Sequence, residues 1–139
     1  MVPRRAAATR SASPADARAY LAKAEEFLQA ATDSLGRGNF VATAGNAVHA
    51  GIAAADAVSA ARAGAVWTGE HGQAAEHVEK VGGGDGRPAA RQLRQLLLLK
   101  NRAEYDPSPT SEAEARSAHR AAERIVTIAR RVVGPAQNG

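Results

Sequence analysis

Along most of this chain apolar residues recur at intervals of three, four and seven, with polar residues between them, the period of helices that share a core. The first stripe is Tyr20, Leu21, Ala24, Phe27, Leu28, Ala31 and Leu35. Ser13 precedes it as N-cap, Pro14 takes the first helical position, Asp16 falls in the first turn, and Gly36 and Gly38 end it. A second helix is predicted from about Asn39 to Arg62, with Phe40, Val41, Ala44, Val48, Ile52, Ala55 and Val58 on its apolar side and Gly64 at its stop. Ala and Gly fill nearly every other side. Small residues all round let neighbours approach closely, so this helix is expected at the centre.

A shorter third helix, about Glu70 to Val81, runs into Gly82-Gly83-Gly84, which reads as a flexible connector. The fourth begins between Asp85 and Pro88, turns Leu93, Leu96, Leu97 and Ala103 inward, and is ended by Pro107. Ser111 with Glu114 three residues on is a capping box for the fifth, whose stripe is Ala118, Ala122, Ile125, Val126, Ala129, Val132 and Val133. Gly134-Pro135 closes it. β-branched and aromatic residues are too sparse to ask for a strand anywhere. The expected fold is all-α, an antiparallel bundle of about five helices in one domain over residues 14–134, between a disordered basic tail (1–13) and a disordered C-terminus (135–139).

Charge alters this picture little. The formal net charge is +4, and Arg4, Arg5 and Arg10 supply three of those charges before any acid occurs, so the body carries only +1. The basic balance is therefore a property of the tail and weak evidence for a nucleic-acid-binding body. With no Cys, disulfides and thiolate metal sites are excluded. The longest aliphatic run, Leu96 to Leu99, is far too short to span a bilayer, and the start lacks the apolar core of a signal peptide. A cytoplasmic protein without membrane contact is the expectation.

Two segments carry polar groups that helix packing does not require. Asn46, His49 and Asp56 fall within about 80° of arc on the second helix, so they share a face of an otherwise small and apolar element. Each needs a hydrogen-bond partner or water, since a buried, unpaired polar group costs roughly 1–3 kcal/mol. Partners at neighbouring helix ends would satisfy them; a cleft is the other solution. The second segment, Lys100-Asn101-Arg102-Ala103-Glu104-Tyr105-Asp106-Pro107, crowds cations, acids, an amide and a phenol into the last turns of the fourth helix. Its cations also complement the negative helix end, so a C-terminal cap is the plain alternative to a binding role.

Glu70-His71 and Glu76-His77 put two imidazoles about 120° apart on the third helix, poor geometry for chelation, and no metal or cofactor is expected. The glycine run lacks both the preceding strand and the Lys-Ser/Thr of a phosphate loop. Arg116, Arg120 and Arg124 recur every four residues on the fifth helix; such a row can track phosphates, and is more often a solvated face.

Gly45-Asn46-Ala47-Val48-His49-Ala50-Gly51-Ile52-Ala53-Ala54-Ala55-Asp56-Ala57 with the later Lys100-to-Pro107 segment and one amphipathic helix after it resembles HEPN-domain proteins, especially small bacterial ones. The resemblance covers about residues 15 to 133. It implies a bundle that forms a homodimer with a groove at the two-fold axis. Active members pair an Arg with a His four to six residues later for metal-independent RNA cleavage. The chemistry is sensible: a cation stabilises phosphorane charge while an imidazole moves protons near neutral pH. Here the next histidine after Arg102 is His119, and Glu104 stands near where some relatives have theirs, where it would repel a phosphate.

The resemblance therefore implies a non-catalytic or degenerate dimeric binding module, in a toxin–antitoxin or defence setting beside a nucleotidyltransferase-type partner. Its groove for RNA or a nucleotide would be formed by Asn46, His49, Asp56, Lys100, Asn101, Arg102 and Tyr105. Two alternatives stand: a ribonuclease using Asn46, His49, Lys100, Arg102 and Tyr105, and a structural subunit without a ligand site.

Overall fold

The computed structural model describes residues 8–134 and is an all-α bundle. The elements are β1 (Thr9–Ser11), α1 (Pro14–Gly36), α2 (Phe40–Ala63), β2 (Ala65–Trp67), α3 (Ala74–Val81), α4 (Gly86–Tyr105) and α5 (Glu112–Val133), with a 3-10 turn at His71–Gln73 leading into α3. α2 touches every other helix; α1 and α4 flank the central α2–α5 pair, and α3 covers the first half of α4.

Reciprocal caps fix the starts of α1 and α5. At α1 the Ser13 hydroxyl accepts from the Asp16 amide at 3.0 Å and the Asp16 carboxylate accepts from the Ser13 amide at 2.9 Å. Ser111 and Glu114 make the same reciprocal pair at α5, at 3.0 and 3.1 Å. Each satisfies two helix-end donors that would otherwise be orphaned. α2 has no side-chain cap and ends on Gly64 in the left-handed region at φ 65°, the αL close that glycine takes without strain.

Thirteen of the 24 residues of α2 are buried, most of them Ala. α1 meets it through Ala17, Ala24 and Ala31, a row of small side chains seven apart, while Tyr20, Leu21, Phe27 and Leu28 pack partly exposed along its flanks. The bulk of the core comes from the other side: Leu93 and Leu96 of α4, Val58 of α2, Val78 of α3, and Ile125 and Val126 of α5 are all fully enclosed.

Three local features depart from expectation. Two strands form where none was predicted. β1 pairs antiparallel with β2, Thr9 opposite Trp67, Arg10 opposite Val66 and Ser11 opposite Ala65. Val66 is buried against Ala17 and Ala60, so docking on the bundle end supports a ladder that propensity alone would not. Thr9 to Ser11, expected in the N-terminal tail, thus belong to the fold, with Arg10 Nη2 donating to the Tyr20 hydroxyl at 2.6 Å. Residues 1–7, with Arg4 and Arg5, and residues 135–139 lie outside the described residues. The glycine run is also no loose connector. A Cβ on Gly82 or on Gly86 would come within 2.6 Å of a backbone carbonyl at the end of α3, so both glycines are buried in a corner that only a bare backbone can turn.

Candidate functional site

α2 begins and α4 ends at the same end of the bundle, and between them lies a half-open groove of about 290 Å³. Its α2 wall is Val41, Ala44, Gly45, Val48, His49 and Ile52; its α4 wall is Leu99, Lys100, Ala103 and Glu104; His71 and Thr110 close the ends. The α2 residues recur at three and four, so the wall is straight and about 16 Å long at 1.5 Å per residue. Gly45 and Ala103 keep the walls low. Val41, at the mouth, is 67% exposed, an unusual position for a β-branched aliphatic side chain.

The two charged side chains at the rim are paired with each other. Lys100 Nζ lies 2.6 Å from Glu104 Oε1 one turn along the same helix, so these two charges offset each other. The His49 ring stacks on Phe27 of α1, centroids 5.0 Å apart at 28°, which holds the imidazole against the α1 side of the mouth.

Of the seven residues singled out in the sequence, only His49 and Lys100 line this groove. Arg102 is turned to the α4–α5 corner. Its Nη2 donates to Glu114 Oε1 at 2.9 Å, its Nε lies 2.5 Å from Oε2 off the hydrogen-bond direction, and its Nη1 reaches Asp106 Oδ2 at 3.4 Å. The same Glu114 oxygen completes the α5 capping box, so Arg102 ties the end of one helix to the start of the next. The Ser111 amide, ahead of Arg102, holds the Glu114 carboxyl below its ordinary value, and the Ser108 amide does the same for Asp106. Asn101 and Tyr105 face solvent, Tyr105 at 86% exposure.

Asn46 and Asp56 lie apart from the groove. Asn46 is half-buried. Asp56, ten residues further along α2, is half-buried beneath α1, and no other described residue hydrogen-bonds its carboxylate. Burial pushes it up to about 6, against the pull of Lys23 and Arg10. The shared helix face read from the sequence therefore opens at one end only: His49 meets the groove while Asp56 is covered.

The groove's aliphatic wall was visible in the sequence as core, not as surface. The available signal was Leu96-Leu97-Leu98-Leu99, since four consecutive leucines span too much arc to be buried together; Leu98 is 71% exposed and Leu99 forms the groove wall. A further aromatic contact sits at the other end of the bundle, where Trp67 and His77 lie 5.4 Å apart between centroids. Burial and then Lys80 hold His77 below its ordinary value. No set of three His, Asp or Glu among the described residues is placed to share a metal ion, and no described helix is long and apolar enough to cross a membrane. Comparison with known proteins finds no matching family model, no matching curated protein and no matching solved structure.

Proposed function

We propose that this chain is a binding module rather than a catalyst, and that the α2–α4 groove takes the apolar ridge of one amphipathic helix from a protein partner. The observation that carries this reading is the straight aliphatic wall, Val41 to Ile52 facing Leu99 and Ala103, with Lys100 and Glu104 paired to each other. A helix presenting side chains at i, i+4 and i+7 matches a channel of that length, and such docking draws on apolar burial rather than on charge. A small anionic ligand would need an uncompensated cation, and Glu104 has taken Lys100.

The surface argues for a partner segment over an obligate homodimer. Stable dimers bury on the order of 800 Å² per partner with an apolar centre, whereas among the described residues the exposed large hydrophobic side chains are Val41, Leu98 and Tyr105, and of these only Val41 borders the groove. Cleavage of RNA is the less supported reading, because Arg102 is bound to two carboxylates at the corner and does not line the groove with His49.

The test is selection from a displayed library of amphipathic helical peptides. Recovered sequences should share apolar residues at four- and seven-residue spacing and should lose binding to Ala103→Trp, which fills the channel from an exposed position without touching the core. Peptides that lack the spacing, or that bind Ala103→Trp as well as the parent, would overturn the reading. A dimer in sedimentation that Ala103→Trp dissociates would replace the partner helix by a second copy.

A further inference from the structure

On the other flank of α4 the charges are arranged differently. α4 and α5 run antiparallel, and the bond from Gln95 Nε2 to Ser117 Oγ at 2.8 Å sets their register. In that register Arg91 of α4 stands level with Arg120 of α5, with Arg124 one turn further along, all three exposed. A shallow seam of about 550 Å³ runs between the helices here, with Arg124 on one wall and Gln92 on the other. The Gln92 amide oxygen is buried in that seam without a donor.

The acids nearby offset this face only at Glu123. Asp85 is held by Arg62 and Arg131 together, which is why its carboxyl sits below the ordinary range, the Arg131 hydrogen bond contributing most. Glu79 pairs with Arg94 at 2.7 Å and Glu112 with Arg116 at 2.8 Å. Glu123 borders the seam and leans toward His119 at 3.4 Å. Among the described residues Arg87, Arg91, Arg120 and Arg124 have no acidic partner, and residues 1–7 and 135–139 contain no Asp or Glu that could supply one.

We infer that the α4–α5 face binds the phosphate backbone of a nucleic-acid duplex. Guanidinium groups about 6 Å apart along α5, joined by Arg91 across the seam, present planar forks to phosphate oxygens at successive positions. A duplex is favoured over a single strand because α5 carries no Phe, Tyr or Trp and α4 only Tyr105 at its far end, so the face offers no platform for stacking bases. The inference does not rest on the α2–α4 groove.

Fluorescence anisotropy of the full chain with a labelled DNA duplex, the corresponding RNA duplex and a single strand, each titrated with salt, tests it. Both duplexes should bind with steep salt dependence and the single strand more weakly. Arg91→Gln/Arg120→Gln/Arg124→Gln should lower duplex affinity by about tenfold or more near 0.1 M salt and reduce the slope by roughly two to three, one phosphate contact per lost arginine. Arg4→Gln/Arg5→Gln measures the contribution of the N-terminal arginines. Full binding by the triple variant, complete loss in Arg4→Gln/Arg5→Gln alone, or a single strand bound as tightly as the duplexes would each overturn the inference.

Discussion

The last turns of α4 and the middle of α2 both hold polar groups, and they dispose of them in opposite ways. In α4 the charges are dense and mutually satisfied: Lys100 with Glu104, and Arg102 with Asp106 and Glu114. In α2 the polar residues are isolated among alanines, and Asp56 is left with its charge uncompensated by any hydrogen bond from the described residues. A crowded charged segment can neutralise itself within one or two turns. A single carboxyl on a helix of small residues depends on whatever its neighbours bring. The more conspicuous motif is thus the more structural one, and the sparse one retains unspent chemistry.

The contrast depends on α2 and α4 staying in close contact, so separating them is the strongest way to break it. A Cβ on Gly51 would collide with the Leu96 side chain, which is itself fully buried. Leu96→Ala should cost about 2–5 kcal/mol through lost burial and the cavity left behind. Gly51→Ala alone should cost about 1–3 kcal/mol through overpacking. The double variant should fall short of the sum by about 1 kcal/mol or more, because the added methyl occupies space that Leu96 has vacated. Urea denaturation of the four proteins measures this; strict additivity would mean that the crossing relaxes without reference to Leu96.

That crossing also marks how far the sequence could be read. Periodicity and caps were enough for the five helices, because Ser13-Pro14-Ala15-Asp16 and Ser111-Glu112-Ala113-Glu114 are local signals whose partners lie three residues away. The Ala-rich composition of α2 correctly placed it at the centre. The β1–β2 pair was illegible since its partners are more than fifty residues apart, and the meaning of Gly82 and Gly86 emerges only when α3 turns into α4. At the candidate site, residue types were visible but directions were not. Lys100 and Arg102 differ by two positions, about 200° of arc, and that rotation sends one into the groove and the other to the α5 cap.

Asp56 sharpens the comparison through pH. A carboxyl near 6 in the folded protein and near 4 in the unfolded chain takes up a proton on folding between those values, so its contribution to stability is greatest below about pH 4 and is lost as pH rises to about 6. Asp16, Asp85, Asp106 and Glu114 are all held low and act in the opposite sense, giving stability that disappears as pH falls through the acid range. Thermal stability should therefore peak near pH 5. Asp56→Asn should raise stability at pH 7 by about 2 kcal/mol, close to the two-unit displacement discounted for partial exposure, and leave it nearly unchanged at pH 4. Equal melting temperatures for parent and variant at pH 7 would mean that Lys23 compensates the charge in full.

The smallest expected effects lie in α4, where two ion pairs that look alike from the sequence should separate. Lys100→Gln removes a single exposed pair within one helix and should cost no more than about 0.5 kcal/mol, fading further in high salt. Arg102→Gln removes a less exposed guanidinium that joins α4 to the α5 cap, and should cost about 1 kcal/mol with little dependence on salt. Glu114→Gln should follow Arg102→Gln, since each leaves the other without its partner. If Lys100→Gln proved the more damaging, the groove rim and not the corner would be the structural element. Because Arg102 braces the corner, a loss of any activity in Arg102 variants has to be weighed against loss of fold. Lys100 and His49 on the groove, with no such duty, are the cleaner probes.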